Sequence, residues 1–224
     1  MVSFSNRNRY RLQNALLLKA HMTLTVLTGD IAKSTTLSPD QFDAALRALA
    51  DAFADISGWG APAKMSKHRG DGWQIASEAP NEAFRMALVI RAHLRSISPA
   101  IDTRLAISTG SGTLPEAIET TSDATFVLSG QCLDQMKDPI RMSYANGGPL
   151  QAVALMIDHI SSSWTETQAK TILPFLRSLT PPTQKQVADL FGVSRQSVGK
   201  TLDAAAYHLL LEVLHTLEEE TVYA

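Results

Sequence analysis

The chain has 224 residues, of which 45% are hydrophobic and 19% charged, and its formal net charge is −2. This composition is typical of a globular protein with a buried core, and it excludes a strongly basic surface that binds polyanions all over. No apolar run approaches the roughly 18 residues of a membrane span. The single cysteine, Cys132, excludes an internal disulfide and favours a reducing, cytoplasmic location.

The first segment, residues 1–21, is a basic extension that contains Arg7, Arg9, Arg11 and Lys19 without an acid. Its apolar stretch is too short for the hydrophobic region of a signal peptide. Two interpretations stay open. The segment is either a loosely attached extension or a basic arm that contacts nucleic acid or a partner.

Residues 22–147 alternate between strand and helix patterns. Strands are predicted at 22–30, 63–68, 72–76, 101–108 and 139–144, with helices over 38–57, 81–97 and 123–136. Ser38 and Gln41 form a capping box with Pro39 in the first turn, and Gly70-Asp71-Gly72 is a hairpin signal. The order predicts an α+β, ferredoxin-like or cyclase-like sandwich with helices on one face of a mostly antiparallel sheet.

The strongest boundary signal is Asn146-Gly147-Gly148-Pro149, and residues 148–224 are predicted to form an all-α domain. Within it, residues 183–202 have the pattern of a helix-turn-helix. Ala188 is the small residue of the first helix, Gly192 lies in the turn, and Ser194 caps the second helix. The apolar residues expected to join the two helices are Val187, Phe191, Val193 and Val198.

The side chains left facing outwards on the second helix are of types that hydrogen-bond base edges and phosphates in a major groove. They are Arg195, Gln196, Ser197, Lys200 and Thr201. The sequence therefore predicts binding to double-stranded DNA, and the alternative is a helical hairpin that packs on a protein neighbour. The second helix is expected to continue through Leu217, closing the domain core or pairing two protomers in a homodimer.

Two aspartates suggest a second site. Asp30 ends the first strand and Asp71 lies in the hairpin, and paired carboxylates at one sheet edge favour a Mg²⁺ or Mn²⁺ ion. The small residues after Asp30 allow backbone N–H groups to approach phosphate oxygens, which makes Lys33, Ser34 and Thr35 candidate ligand-binding residues. The alternative is that Asp30 caps a turn and Asp71 belongs to a hairpin loop.

The motifs LTGDIAKST (27–35), Lys67 to Asp71, RLAISTG (104–110) and SDATFVLSGQCLDQM (122–136) resemble the catalytic domain of class III nucleotide cyclases. The same motifs resemble SatD-like proteins more closely, and the similarity covers about residues 22–145. The resemblance implies metal binding by Asp30, Asp71 and the Ile31 carbonyl. It also implies that Lys67 contacts a purine.

The sequence departs from this family in the late helix. An asparagine and an arginine of the cyclases correspond to Phe126 and Gly130, which cannot stabilise charge in a transition state. We therefore expect no catalytic residues and a sensor of a nucleotide or phosphorylated ligand, coupled to a DNA-binding transcriptional regulator. The alternatives are a divergent nucleotide cyclase or other nucleotide-converting enzyme, and a non-enzymatic scaffold.

Overall fold

A computed structural model describes residues 23–68 and 70–219 of the chain. The predicted extension of residues 1–21 lies outside this part. The strands are β1 (Leu24–Ile31), β2 (Ala63–Lys67), β3 (Trp73–Ser77), β4 (Thr103–Gly110) and β5 (Met142–Tyr144). The helices are α1 (Pro39–Ser57), α2 (Ala83–Ile97), α3 (Ala124–Gln135), α4 (Gly148–Ser162), α5 (Glu166–Leu176), α6 (Gln184–Phe191), α7 (Arg195–Ala204) and α8 (Tyr207–Glu219).

The strands form one sheet in the order β2-β3-β1-β4-β5. β1 pairs antiparallel with β3 and β4, β2 pairs antiparallel with β3, and β4 pairs parallel with β5. The predicted α+β class and the mostly antiparallel sheet are confirmed. The capping box of Ser38 and Gln41 is also present, and it begins α1 after Pro39 has fixed the first turn.

Helices cover both faces of the sheet, so the expectation that they lie on one face is wrong. Leu27 and Ile31 of β1 belong to the main core together with residues of α1 and α2. Leu24 and Val26 point to the other face, where they pack with Phe126 of α3. Successive strand side chains alternate between faces, and β1 is apolar on both, which requires two covering layers.

α2 connects the sheet to the C-terminal helices. Its inner residues pack on the sheet, and the same core cluster continues into α5, α7 and α8. Three arginines of α2 reach C-terminal groups: Arg85 pairs with Glu218, Arg91 with Asp158, and Arg95 donates to the Trp164 carbonyl. The division into domains of residues 22–147 and 148–224 stays a prediction, and the two parts share this core.

Residues 183–204 form two short helices joined at Gly192, which has the left-handed φ of 65° expected for the turn. Val187 and Val198 are buried between the helices. Phe191 and Val193 are 42% and 46% exposed, so the expectation that they join the helices is wrong.

The long second helix is also a wrong expectation, because the chain breaks between α7 and α8 at Ala206, where φ is 55°. Leu202, Leu210 and Leu214 are buried in the common core on either side of this break. None of the helices in 23–68 and 70–219 is both long and apolar enough to cross a bilayer.

Candidate functional site: a charged cleft at the end of β1

A cleft of about 370 Å³ opens where β1 ends. Acidic, basic, small polar and apolar residues all contribute to its lining. The lining residues are Asp30, Ile31, Ala32, Lys33, Ser34, Thr35, Asp71, Arg104, Met136, Asp138 and Arg141. The acids and bases are equal in number, so the cleft is electrically balanced at neutral pH. It offers separate positive and negative groups at short range to a polar ligand.

The central contact of the cleft is an ion pair between neighbouring strands. Asp30 and Arg104 are direct partners in the β1–β4 register. Arg104 Nε donates to Asp30 Oδ1 at 3.0 Å, and Arg104 Nη2 donates to Oδ2, so the guanidinium holds both carboxylate oxygens. The hydrogen bond to Asp30 is the main reason that the pKa of Arg104 is raised, and the charges of Asp30, Asp138 and Asp71 act in the same direction.

The turn that follows β1 forms part of the cleft lining. The Ala32 amide donates to the Asp102 carbonyl at 2.9 Å, which anchors the chain as it leaves the sheet. Lys33 then adopts a left-handed backbone conformation with φ of 54°, and Ser34–Thr36 form a short 3₁₀ turn. This turn places Lys33, Ser34 and Thr35 along one side of the cleft.

The segment before β5 also contributes to the cleft, where Asp138 and Arg141 are part of the lining. The Arg141 amide donates to Asp158 Oδ2 at 2.8 Å, and Asp158 Oδ1 accepts from Arg91 at 2.7 Å. Asp158 is buried on α4. A buried residue of the C-terminal part therefore fixes the backbone of a residue that lines the cleft.

The cleft as found does not fit a divalent cation at Asp30. Both oxygens of that carboxylate accept hydrogen bonds from Arg104. In residues 23–68 and 70–219, no group of three His, Cys, Asp or Glu side chains is arranged to hold a metal ion. The metal prediction for Asp30, Ile31 and Asp71 stays a prediction, although all three residues line the same cleft.

Lys67 is not brought to the cleft. It is exposed at the end of β2 and pairs in register with Trp73, whose ring is buried on the face covered by α1 and α2. Directly paired residues share a face, and Gly29 pairs with Trp73. Asp30 follows Gly29 and points to the other face, so Lys67 and Asp30 lie on opposite faces of the sheet.

Phe126 and Gly130, the two positions of α3 that are expected to lack catalytic groups, also lie outside the cleft lining. Phe126 is a buried core residue, 4% exposed, that packs with Leu24 and Val26. A Cβ at Gly130 would meet no atom within 4 Å, so this position opens to free space. Neither residue supplies charge or hydrogen bonds from its side chain.

Sequence reasoning missed Arg104, Asp138 and Arg141. Arg104 begins the quoted motif RLAISTG, and its partner becomes evident only when β1 and β4 are paired in the correct register. Asp138 and Arg141 lie just before β5, a short strand that pairs parallel to β4. The alternation of charge in KDPIR before β5 was the available signal, but it does not indicate which sheet edge the residues reach.

The predicted DNA-binding residues lie on α7, far along the chain from the cleft. Arg195, Gln196, Ser197 and Lys200 are exposed, and Thr201 is half-buried with its hydroxyl bonded to the Ser197 carbonyl. Ser194 caps the helix by accepting from the Ser197 amide at 3.1 Å.

No protein-family model matches the chain, and no curated protein matches it. Among solved structures, a bacterial light-regulated adenylyl cyclase is similar over 77% of this chain and 69% of its own length, at 13% identity and a TM-score of 0.36. At that score the similarity carries no statement about activity or residues.

Proposed function

We propose that the chain binds a phosphorylated small molecule, of the nucleotide class, in the cleft at the end of β1. The observation that carries the proposal is the convergence of Lys33, Arg104 and Arg141 on one cleft of about 370 Å³. Guanidinium and ammonium groups bind phosphate oxygens through charge-assisted hydrogen bonds. The volume lies within the range of pockets that hold small ligands.

The first test is a thermal-shift and calorimetric panel with inorganic pyrophosphate and the four ribonucleoside triphosphates. Arg141→Ala removes a cation from the cleft lining and leaves the contact between Asp30 and Arg104 in place. We expect it to weaken binding by about tenfold, which corresponds to about 1.4 kcal/mol for a charged contact. Arg47→Ala removes an exposed guanidinium from α1 and is the matched control. Equal affinities of both variants, or no binding by any panel member, would contradict the proposal.

The role in transcription belongs to the same proposal as its second part. The exposed side of α7 supports it, because Arg195, Gln196, Ser197 and Lys200 are all exposed. A homodimer would present two such helices to double-stranded DNA. The ligand in the cleft is the signal, and bound DNA is the output.

Gel shifts with the DNA upstream of its own gene test this second part. We expect Arg195→Ala and Lys200→Ala each to weaken binding and to lower the slope of log affinity against log salt by about one. Arg47→Ala again serves as the control. If both α7 variants bind DNA with unchanged affinity and salt slope, the assignment of DNA contacts to α7 is wrong.

Turnover is the alternative, as a divergent nucleotide cyclase or another nucleotide-converting enzyme. Phe126 and Gly130 disfavour it, since neither offers a charged group. Incubation of the full chain with each triphosphate and Mn²⁺, followed by chromatography, decides the point. A product that disappears in Asp30→Asn would make the cleft an active site.

A further inference from the structure

The Asp30 carboxylate is the group at which a metal would be expected, and it already has a cation. Arg104 contacts both of its oxygens in a fork-to-fork arrangement, which is the strongest geometry of an arginine–carboxylate pair. A hydrogen bond between the two strands reinforces the contact, because the Thr103 hydroxyl donates to the Asp30 backbone carbonyl at 2.6 Å. The β1–β4 register therefore holds the pair in place.

The surrounding charges favour the same arrangement. Asp71 and Asp138 line the cleft beside Arg104, and each attracts its guanidinium. A guanidinium keeps its proton at any physiological pH, so this positive charge is permanent. A divalent cation at Asp30 would have to break the fork and then lie next to the displaced guanidinium, which repels it.

The fork uses only part of the donor set of the guanidinium. Arg104 is about one-third exposed and lines the cleft, so its remaining N–H groups face the space that a ligand would fill. It can neutralise Asp30 and contact an anion at the same time. These are two roles that a metal ion would otherwise combine.

We propose that Arg104 takes the place of a divalent cation at Asp30, so that the cleft excludes a metal ion there and binds its anionic ligand without one. The ligand-binding half of this inference rests on the proposed function. The exclusion of the metal at Asp30 does not.

The exclusion is tested on the full chain by titrating Mn²⁺ and following free Mn²⁺ by electron paramagnetic resonance. We expect wild type and Asp30→Asn to give the same isotherm, because Asp30 holds no Mn²⁺. Arg104→Ala should gain a Mn²⁺ site that is lost again in the double variant Asp30→Asn/Arg104→Ala. Arg47→Ala and Asp51→Asn, at exposed positions of α1, are the matched controls.

Two results would overturn the exclusion: Mn²⁺ binding by wild type that Asp30→Asn abolishes, or no gain of a site in Arg104→Ala. The wild-type comparison with Asp30→Asn decides the first point even if Arg104→Ala does not fold.

The second arm measures pyrophosphate and ATP affinity in excess EDTA and in excess Mg²⁺. We expect dissociation constants that agree within about twofold, which is about 0.4 kcal/mol. A tenfold gain with Mg²⁺ that is lost in Asp30→Asn would overturn the inference. If neither ligand binds under either condition, the proposed function fails, and the Mn²⁺ titration still decides whether Arg104 excludes the metal.

Discussion

At the scale of single residues, Gly29 lies directly before Asp30, at a position of β1 where the packing leaves no room for a side chain. A Cβ at this position would lie 2.3 Å from Trp73 Cζ2 and 2.6 Å from the Arg104 carbonyl oxygen. Trp73 is fully buried and its indole N–H donates to Thr103 Oγ1 at 3.2 Å, so the ring cannot move aside at low cost. The absence of a side chain at Gly29 is required by packing between β1 and β3.

We expect Gly29→Ala to lower the free energy of unfolding by about 3 kcal/mol, because the methyl group forces strain into the core. Gly130→Ala is the matched control, since its Cβ meets nothing within 4 Å. There we expect a gain of about 0.5 kcal/mol from helix propensity in α3. Urea denaturation of both variants measures the difference, and equal stabilities would refute the packing argument.

A second residue-scale feature is the carboxylate pair at the end of α8. Glu82 and Glu218 both lie beside Arg85, which holds Glu218 through Nε at 2.7 Å and Nη2 at 2.8 Å. The pKa of Glu82 is raised to about 7, chiefly by burial. The charge of Glu218 contributes to this rise, and the charge of Arg85 opposes it by a smaller amount. Glu82 therefore keeps its proton in the folded chain at a pH where it would lose it unfolded.

The consequence is a stability that falls as pH rises. Below pH 4.5 the group is protonated in both states, and between 4.5 and about 7 only the folded chain keeps the proton. Each pH unit in that window costs the folded state at most about 1.4 kcal/mol. We expect Glu82→Gln to flatten this slope in pH-dependent denaturation, while the exposed Glu212→Gln on α8 keeps it. An unchanged slope in Glu82→Gln would contradict the assignment.

At the scale of elements, the ends of helices were predictable because their signals are local. Ser38 with Gln41, Ser194 and Gly192 act on groups within a few residues, and each works as expected. The break at Ala206 has no such signal. It follows from contacts at long range: Trp164 Nε1 donates to the Ala205 carbonyl at 3.0 Å, and Gln168 Nε2 donates to the Ala204 carbonyl at 3.1 Å.

The residues of the cleft also differ in how far the sequence predicts them. Asp30, Asp71 and the turn at Lys33 to Thr35 were recognisable because each is attached to a local turn. The contact between Asp30 and Arg104, 74 residues apart, depends on strand register. Lys67 is not in the cleft lining, because it pairs with Trp73 and so lies on the other face of the sheet from Asp30. Its contact with a purine stays a prediction.

A buried arginine of α2, Arg91, joins α4 to the segment before β4 through two ion pairs. Arg91 is fully buried and contacts Asp102 at 3.1 Å, Asp158 at 2.7 Å and Ser161 Oγ at 2.7 Å. We expect Asp158→Asn to lower the free energy of unfolding by about 3 kcal/mol, because it removes one of the two carboxylates that contact the buried Arg91 guanidinium. Ser161→Ala removes a neutral partner of the same arginine and should cost about 1 kcal/mol.

Urea denaturation of the two variants tests whether Asp158→Asn loses more stability than Ser161→Ala. Asp158→Asn should also weaken ligand binding in the cleft, since Asp158 Oδ2 holds the Arg141 amide. Ser161→Ala should leave ligand binding as it is. A smaller loss of stability in Asp158→Asn than in Ser161→Ala would contradict the stabilising role of the Arg91–Asp158 ion pair.

At the scale of the whole molecule, α2 packs against both the sheet and the C-terminal helices. Most of its side chains are buried, because the sheet covers one side and the C-terminal helices the other. Its three arginines then bind groups in α4, α8 and the segment before α5. The sequence signal at Asn146–Pro149 marks a change of secondary structure, and the core runs past it.

The double burial of α2 has a consequence for motion. An amide proton inside α2 exchanges with water only when the helix opens, and opening α2 separates the sheet from the C-terminal helices at the same moment. Slow exchange in α2 would therefore report the opening of both parts as one event. A ligand that tightens the cleft would slow exchange in the interior of α2 as well, although α2 contributes no residue to the cleft lining.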